Sequence, residues 1–112
     1  MARINYVELP VADAGVSKAF YEAAFGWQMK EFGPSYAATM TGDVDLGLQG
    51  DATEATRAPL AVIAVERLDD WPAKVTAAGG TIMRPIFAFP GGRRFHFTDP
   101  SGNELAVVEA DH

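Results

Sequence analysis

Ile4-Asn-Tyr-Val-Glu-Leu-Pro-Val11 alternates so that Val7, Leu9 and Val11 fall on one face and Tyr6 and Glu8 on the other, as in a half-buried strand. Asp13 then stands where a helix N-cap is wanted. Val16, Ala19, Phe20 and Ala23 follow at i, i+3, i+4 and i+7, which predicts one apolar stripe of an amphipathic helix. Gly26 suits the left-handed residue that stops such a helix. Trp27 to Phe32 reads as the next strand, and Tyr36 to Thr41 with Val44 to Gln49 as a hairpin turned at Gly42-Asp43. The order is strand, helix, strand, strand, strand.

The polar stretch from Asp51 to Pro59 has no apolar period and reads as a linker, after which the order starts again. Leu60 to Val65 is apolar enough for a buried strand. Leu68 is placed to staple a second helix capped by Asp69 or Asp70, with Pro72 in its first turn and Trp71, Val75 and Ala78 along its buried side. Gly79-Gly80 ends it. Thr81 to Phe87, Arg93 to Thr98 and Asn103 to Glu109 make three more strands, the last two joined by Asp99-Pro-Ser-Gly102, which matches a type I turn. Val65 laid on Val11 and Gly80 on Gly26 share one offset of 54 residues, so a βαβββ unit occurs twice. One such unit leaves a sheet face uncovered, and pairing two lets the sheets curl around a shared cavity. The expected fold is therefore α+β: two tandem βαβββ modules forming a mixed, curled sheet around a cavity. Residues 1–112 make one domain, with module one at 1–50, the linker at 51–59 and module two at 60–112.

Composition narrows the function. The net charge of −6 and a pI near 4.7 oppose a nucleic-acid partner, since that affinity comes largely from Lys and Arg displacing counterions, and oppose attraction to anionic lipid. With 48% hydrophobic and 21% charged residues, a packed globule is expected rather than a disordered chain. The absence of cysteine removes disulfides, thiolate nucleophiles and cysteine metal sites together. No apolar run approaches the roughly 20 residues that span a bilayer, and Met1-Ala-Arg-Ile-Asn5 lacks the apolar core of an export signal, so a cytoplasmic location is expected.

Ala19-Phe-Tyr-Glu-Ala-Ala-Phe-Gly-Trp27 and Phe97-Thr-Asp-Pro-Ser-Gly-Asn-Glu-Leu105 resemble segments of the vicinal oxygen chelate superfamily, which contains glyoxalase I, bleomycin-resistance proteins, fosfomycin-resistance transferases and extradiol dioxygenases. The resemblance spans the whole chain. It implies the paired-module scaffold and a homodimer, but not one chemistry, because members of the family isomerise, cleave rings, transfer groups or sequester drugs. Its metalloenzymes hold a divalent ion with His, Glu or Gln from the first and last strands of each module. Here the resemblance puts Tyr6 and Leu60 at the first-strand positions, and Asp45 and Glu104 at the last-strand ones. Leucine has no donor atom and an ordinary phenol is protonated at neutral pH. Asp45 and Glu104 remain as weak metal candidates, at best for a hard cation. The expectation is a protein without a resident metal or cofactor that binds a small organic molecule.

Tyr6, Glu8, Arg94, His96 and Glu104 are the expected ligand-binding residues. In Arg93-Arg-Phe-His-Phe-Thr98, alternation puts Arg94, His96 and Thr98 on one face and Phe95 and Phe97 on the other, under a helix. The first set can bind a small anion or give His96 a proton-transfer role near neutral pH. An exposed edge strand with solvated Arg and His is the plainer alternative, as is an ion pair between Glu104 and Arg94. Tyr6 can equally fill the cavity, with Glu8 at its rim. Two other functions stay open: an acid–base or metal-dependent lyase, isomerase or dioxygenase with Glu104 and His96 as catalytic candidates, and a scaffold or regulatory partner with no small ligand. Trp27 and Trp71 are assigned to packing, and Met29, Met40 and Met83 to the core or to a soft cavity wall. His112 is expected to fray at the terminus.

Overall fold

The computed structural model describes residues 1–111, and His112 lies outside them. The elements in chain order are β1 (Arg3–Pro10), α1 (Ala14–Phe25), β2 (Met29–Glu31), β3 (Tyr36–Thr39), β4 (Asp45–Gln49), β5 (Leu60–Ala64), a 3₁₀ turn (Leu68–Asp70), α2 (Trp71–Ala77), β6 (Thr81–Phe89), β7 (Gly92–Thr98) and β8 (Glu104–Ala110). The fold is α+β, and the βαβββ order occurs twice. The chain forms two compact units: Tyr6–Leu60, and Met1–Asn5 with the chain from Ala61 onward.

In the first unit the strands lie in the order β2-β3-β4-β1. β1 runs parallel to β4, pairing Tyr6 with Asp45, Glu8 with Gly47 and Leu9 with Leu48, while β3 runs antiparallel to β4 and pairs Ala38 with Gly47. Met29, Ala37 and Leu48 are buried on the face that receives Leu9, Val11, Leu46 and Tyr21 of α1. The alternation of the strands leaves Tyr6, Glu8 and Gly47 on the opposite face.

Asp13 caps α1, accepting from the Val16 N–H at 3.1 Å, and Gly26 ends it in the left-handed conformation at φ 72°. The predicted apolar stripe is out of phase: Val16 is 68% and Phe20 59% exposed, with Ala19 and Ala23 exposed beside them. The face that meets the sheet is Ala14, Ser17, Lys18, Tyr21 and Glu22. Lys18 and Glu22 belong there because they pair with each other at 3.2 Å, and Glu22 also accepts the Met29 N–H at 3.0 Å. The hairpin predicted at Gly42-Asp43 is wider than expected, since Asp45 holds the 40–44 segment as a loop.

The second unit has the order β5-β8-β7-β6, with β5 parallel to β8 and the other neighbours antiparallel. Its core joins Phe95, Val107, Val65 and Leu68, with Trp71, Val75, Ile82 and Phe97 packed against them. As expected, Phe95 and Phe97 lie under the helix. The predicted capping by Asp69 or Asp70 is not made. The chain instead enters α2 through the 3₁₀ turn, whose Leu68 N–H is taken by the Glu109 carboxylate at 2.8 Å, and Asp69 turns to Arg93. Ala78, predicted on the buried side, is the exposed residue that ends the helix. Met40 and Met83 are exposed, and Met29 packs under α1.

The Asp99–Gly102 turn is built as its sequence implies. Gly102 N–H donates to the Asp99 carbonyl at 2.9 Å, and the Asp99 carboxylate accepts from the backbone of Ser101 and from both nitrogens of Asn103. Hydrogen bonds from Asn103, side chain first, hold that carboxyl below its usual range.

Candidate functional site

Polar side chains gather on the sheet face turned away from the helix in each unit. In the first unit the Tyr36 hydroxyl donates to Glu8 Oε1 at 2.9 Å, and the hydroxyls of Tyr6 and Tyr36 are 2.6 Å apart. With Tyr36's one proton on Glu8, Tyr6 is the donor in the second bond. Burial pushes the Tyr36 phenol far up, and the Glu8 charge beside it adds to the shift, so Tyr36 is un-ionised at neutral pH. Gly47 makes the arrangement possible, because a Cβ there would overlap both phenol oxygens. Tyr6 and Glu8 were legible in strand alternation. Tyr36 and Gly47 come from strands whose register the sequence does not reveal.

Asp45, paired with Tyr6 across the β1–β4 ladder, is spent on structure. It accepts from the hydroxyls of Thr39 and Thr41 and from the N–H groups of Thr41 and Gly42. Burial alone would raise its carboxyl, but these bonds outweigh burial and hold it below the usual range. It also borders a hollow of about 340 Å³ with Val7, Trp27, Thr39, Val44 and Leu46. None of the five expected ligand-binding residues lines that hollow.

In the second unit His96 is fully buried, not on an exposed edge as the plainer alternative had it; the edge strand is β6. His96 Nδ1 lies 2.8 Å from Glu104 Oε2. Glu104 thus turns one carboxylate oxygen to His96. Arg94 lies over the rings of Phe87 and Phe89, at 5.3 and 5.1 Å from their centroids. Arg84 lies 4.0 Å over Phe87, whose ring is 5.8 Å from that of His96. Simple alternation would put Arg84 with Ile82 and Ile86 on the helix side. Register shifts between Ile82 and Arg84 and between Arg84 and Phe87 set these two residues opposite His96 and Arg94 instead. Pro85 was the available signal, since proline in a strand marks an edge or a bulge. Thr98 pairs with Glu104 at the end of the ladder.

Burial pushes the His96 imidazole below its ordinary value, and Arg94 and Arg84 add to that, against the opposing pull of Glu104. The ring is neutral at pH 7. It donates Nδ1–H to the carboxylate, and its Nε2 is a buried acceptor with no hydrogen bond among the described residues.

The residues at the family's ion-binding positions do not fit a divalent ion. The Tyr6 hydroxyl is bonded to Tyr36, Asp45 is saturated by threonines and backbone, Leu60 offers no donor atom, and Glu104 is engaged by His96. Among the described residues no group of three or more His, Asp or Glu side chains is placed to hold a metal.

Residues 3–107 match the family model described as Glyoxalase/Bleomycin resistance protein/Dioxygenase superfamily. No curated protein matches the chain. Among solved structures it is similar to an NAD-dependent benzaldehyde dehydrogenase from Legionella pneumophila (20% identity, 95% of this chain and 98% of that one, TM-score 0.77). It is likewise similar to a glyoxalase/bleomycin resistance protein/dioxygenase superfamily member from Vibrio splendidus 12B01 (17% identity, 97% and 99%, TM-score 0.75). A Mn(II)-bound glyoxalase from Novosphingobium aromaticivorans shares 25% identity at TM-score 0.66, over 97% of this chain but 40% of that one.

Proposed function

Since the chain belongs to the glyoxalase/bleomycin resistance protein/dioxygenase superfamily, we propose that it binds a small organic molecule without a resident metal ion. Tyr6, Glu8, Arg94, His96 and Glu104 are its ligand-binding residues. The observation that carries this reading is the character of the two sheet faces: each holds buried, hydrogen-bonded polar groups, yet the positions suited to an ion hold a bonded phenol, a leucine and two engaged carboxylates. Buried polar groups cost stability unless paired, so such clusters are rarely mere filling. Among the described residues no helix is long and apolar enough to cross a membrane. A cytoplasmic location and a homodimer belong to the same proposal, the latter checked by sedimentation velocity.

Metal analysis of protein purified without chelator tests the reading, together with a thermal-shift screen of organic metabolites and of Ni, Zn, Mn and Fe. A ligand bound only by the native state raises the melting temperature. The expected outcome is substoichiometric metal and a rise with an organic compound. Stoichiometric metal would overturn the reading, and no response to any small molecule would favour a scaffold or regulatory role. The His96–Glu104 bond favours a second reading, an acid–base enzyme in which these two residues carry the chemistry.

A further inference from the structure

We infer that His96 is the hydrogen-bond acceptor for the ligand in the second unit, that the ligand therefore presents an O–H or N–H there, and that Glu104 is the positioning residue for this contact. The inference rests on the small-molecule reading and names the class of molecule.

A neutral imidazole has one proton and one lone pair, and a carboxylate can only accept, so the 2.8 Å bond fixes the proton on Nδ1. The lone pair is then on Nε2, which is buried and has no hydrogen bond among the described residues. The charged groups facing the ring support the same assignment. Arg84 from β6 and Arg94 from β7 oppose an imidazolium, and Glu104 from β8 is already used by Nδ1. A bare carboxylate or phosphate oxygen would set lone pair against lone pair at Nε2. A hydroxyl or N–H group would satisfy it, and the two guanidinium groups favour the negative charge that grows on such a donor as it shares its proton.

The 112-residue chain has two histidines, so its His112→Gln variant, labelled with ¹⁵N-histidine, reports His96 alone. Phenol and anisole serve as probes, sharing one ring and differing in the hydroxyl proton. The expected free spectrum has a protonated Nδ1 and an unbonded, pyridine-type Nε2. Phenol should move the Nε2 resonance to lower frequency along a saturable curve, and anisole should not. Glu104→Gln should mix the tautomers and weaken phenol binding by about tenfold, roughly the loss of one hydrogen bond. If that variant fails to fold, the tautomer and the probe pair in the parent protein still decide the matter. An Nε2 already hydrogen-bonded in the free protein and unmoved by phenol overturns the inference, as do equal shifts with both probes or no saturable shift. Metabolites that raise the melting temperature but leave Nε2 unmoved would sink this inference and spare the small-molecule reading.

Discussion

The two units share one order of elements but distribute their polar groups differently over the strands. In the first unit they stand on β1, where Tyr6 and Glu8 take the positions facing away from the helix, and Tyr36 of β3 completes the set. In the second unit the matching first strand, β5, offers buried Val62, and the polar pair His96–Glu104 stands on β7 and β8. A duplicated scaffold thus keeps its helix-side cores while the opposite faces are free to diverge, because apolar packing is demanding of shape and a satisfied polar pair can sit on any adjacent strands.

The comparison is broken most severely at Gly47. Gly47→Ala pushes a methyl group into both phenol oxygens, and we expect about 3 kcal/mol of destabilisation in urea unfolding, at the upper end for overpacking. Next comes Tyr36→Phe, which removes the hydroxyl that links Tyr6 to Glu8 and should cost about 2 kcal/mol by the same measurement. A change of Gly47 and Tyr36 together should then cost less than the sum, since both act on one cluster.

Helix starts sharpen the contrast on a smaller scale. Asp13→Ala removes the cap of α1 and should cost about 1 kcal/mol, whereas Asp70→Ala before α2, where no cap bond exists, should stay within about 0.5 kcal/mol. The finest difference is one of slope against pH. His96 titrates below the ordinary imidazole value of 6.5, so between the two values the unfolded chain binds more protons than the folded one. The contribution of neutral His96 is full above about pH 6.5 and is lost as pH falls through the folded value. His96→Gln should flatten the stability profile in that window, as measured by unfolding at several pH values.

Much of the fold was legible because turns and strands are written locally. Asp13, Gly26 and Asp99-Pro-Ser-Gly102 stand where their backbone conformations need them, and Phe95 and Phe97 alternate with Arg94 and His96 as a two-faced strand must. The phase of α1 departs from its apolar spacing because Lys18 and Glu22 satisfy each other, which lets a polar pair take the sheet-facing side while Val16 and Phe20 point to solvent. In the site, Tyr6, Glu8, His96 and Glu104 were visible by alternation and resemblance. Their partners were not: Tyr36 depends on a non-local ladder and Arg84 on two register shifts, neither of which a period of two can express.

One consequence lies in the two tryptophans. Trp27, stacked on Tyr21 and Phe25 and 41% exposed, belongs to the first unit, and Trp71, packed on the second core, belongs to the other. Each half therefore carries its own intrinsic fluorophore. Replacing either by phenylalanine leaves a chain whose emission follows one half at a time, which makes it possible to see whether the duplicated pieces melt in a single cooperative event or in sequence.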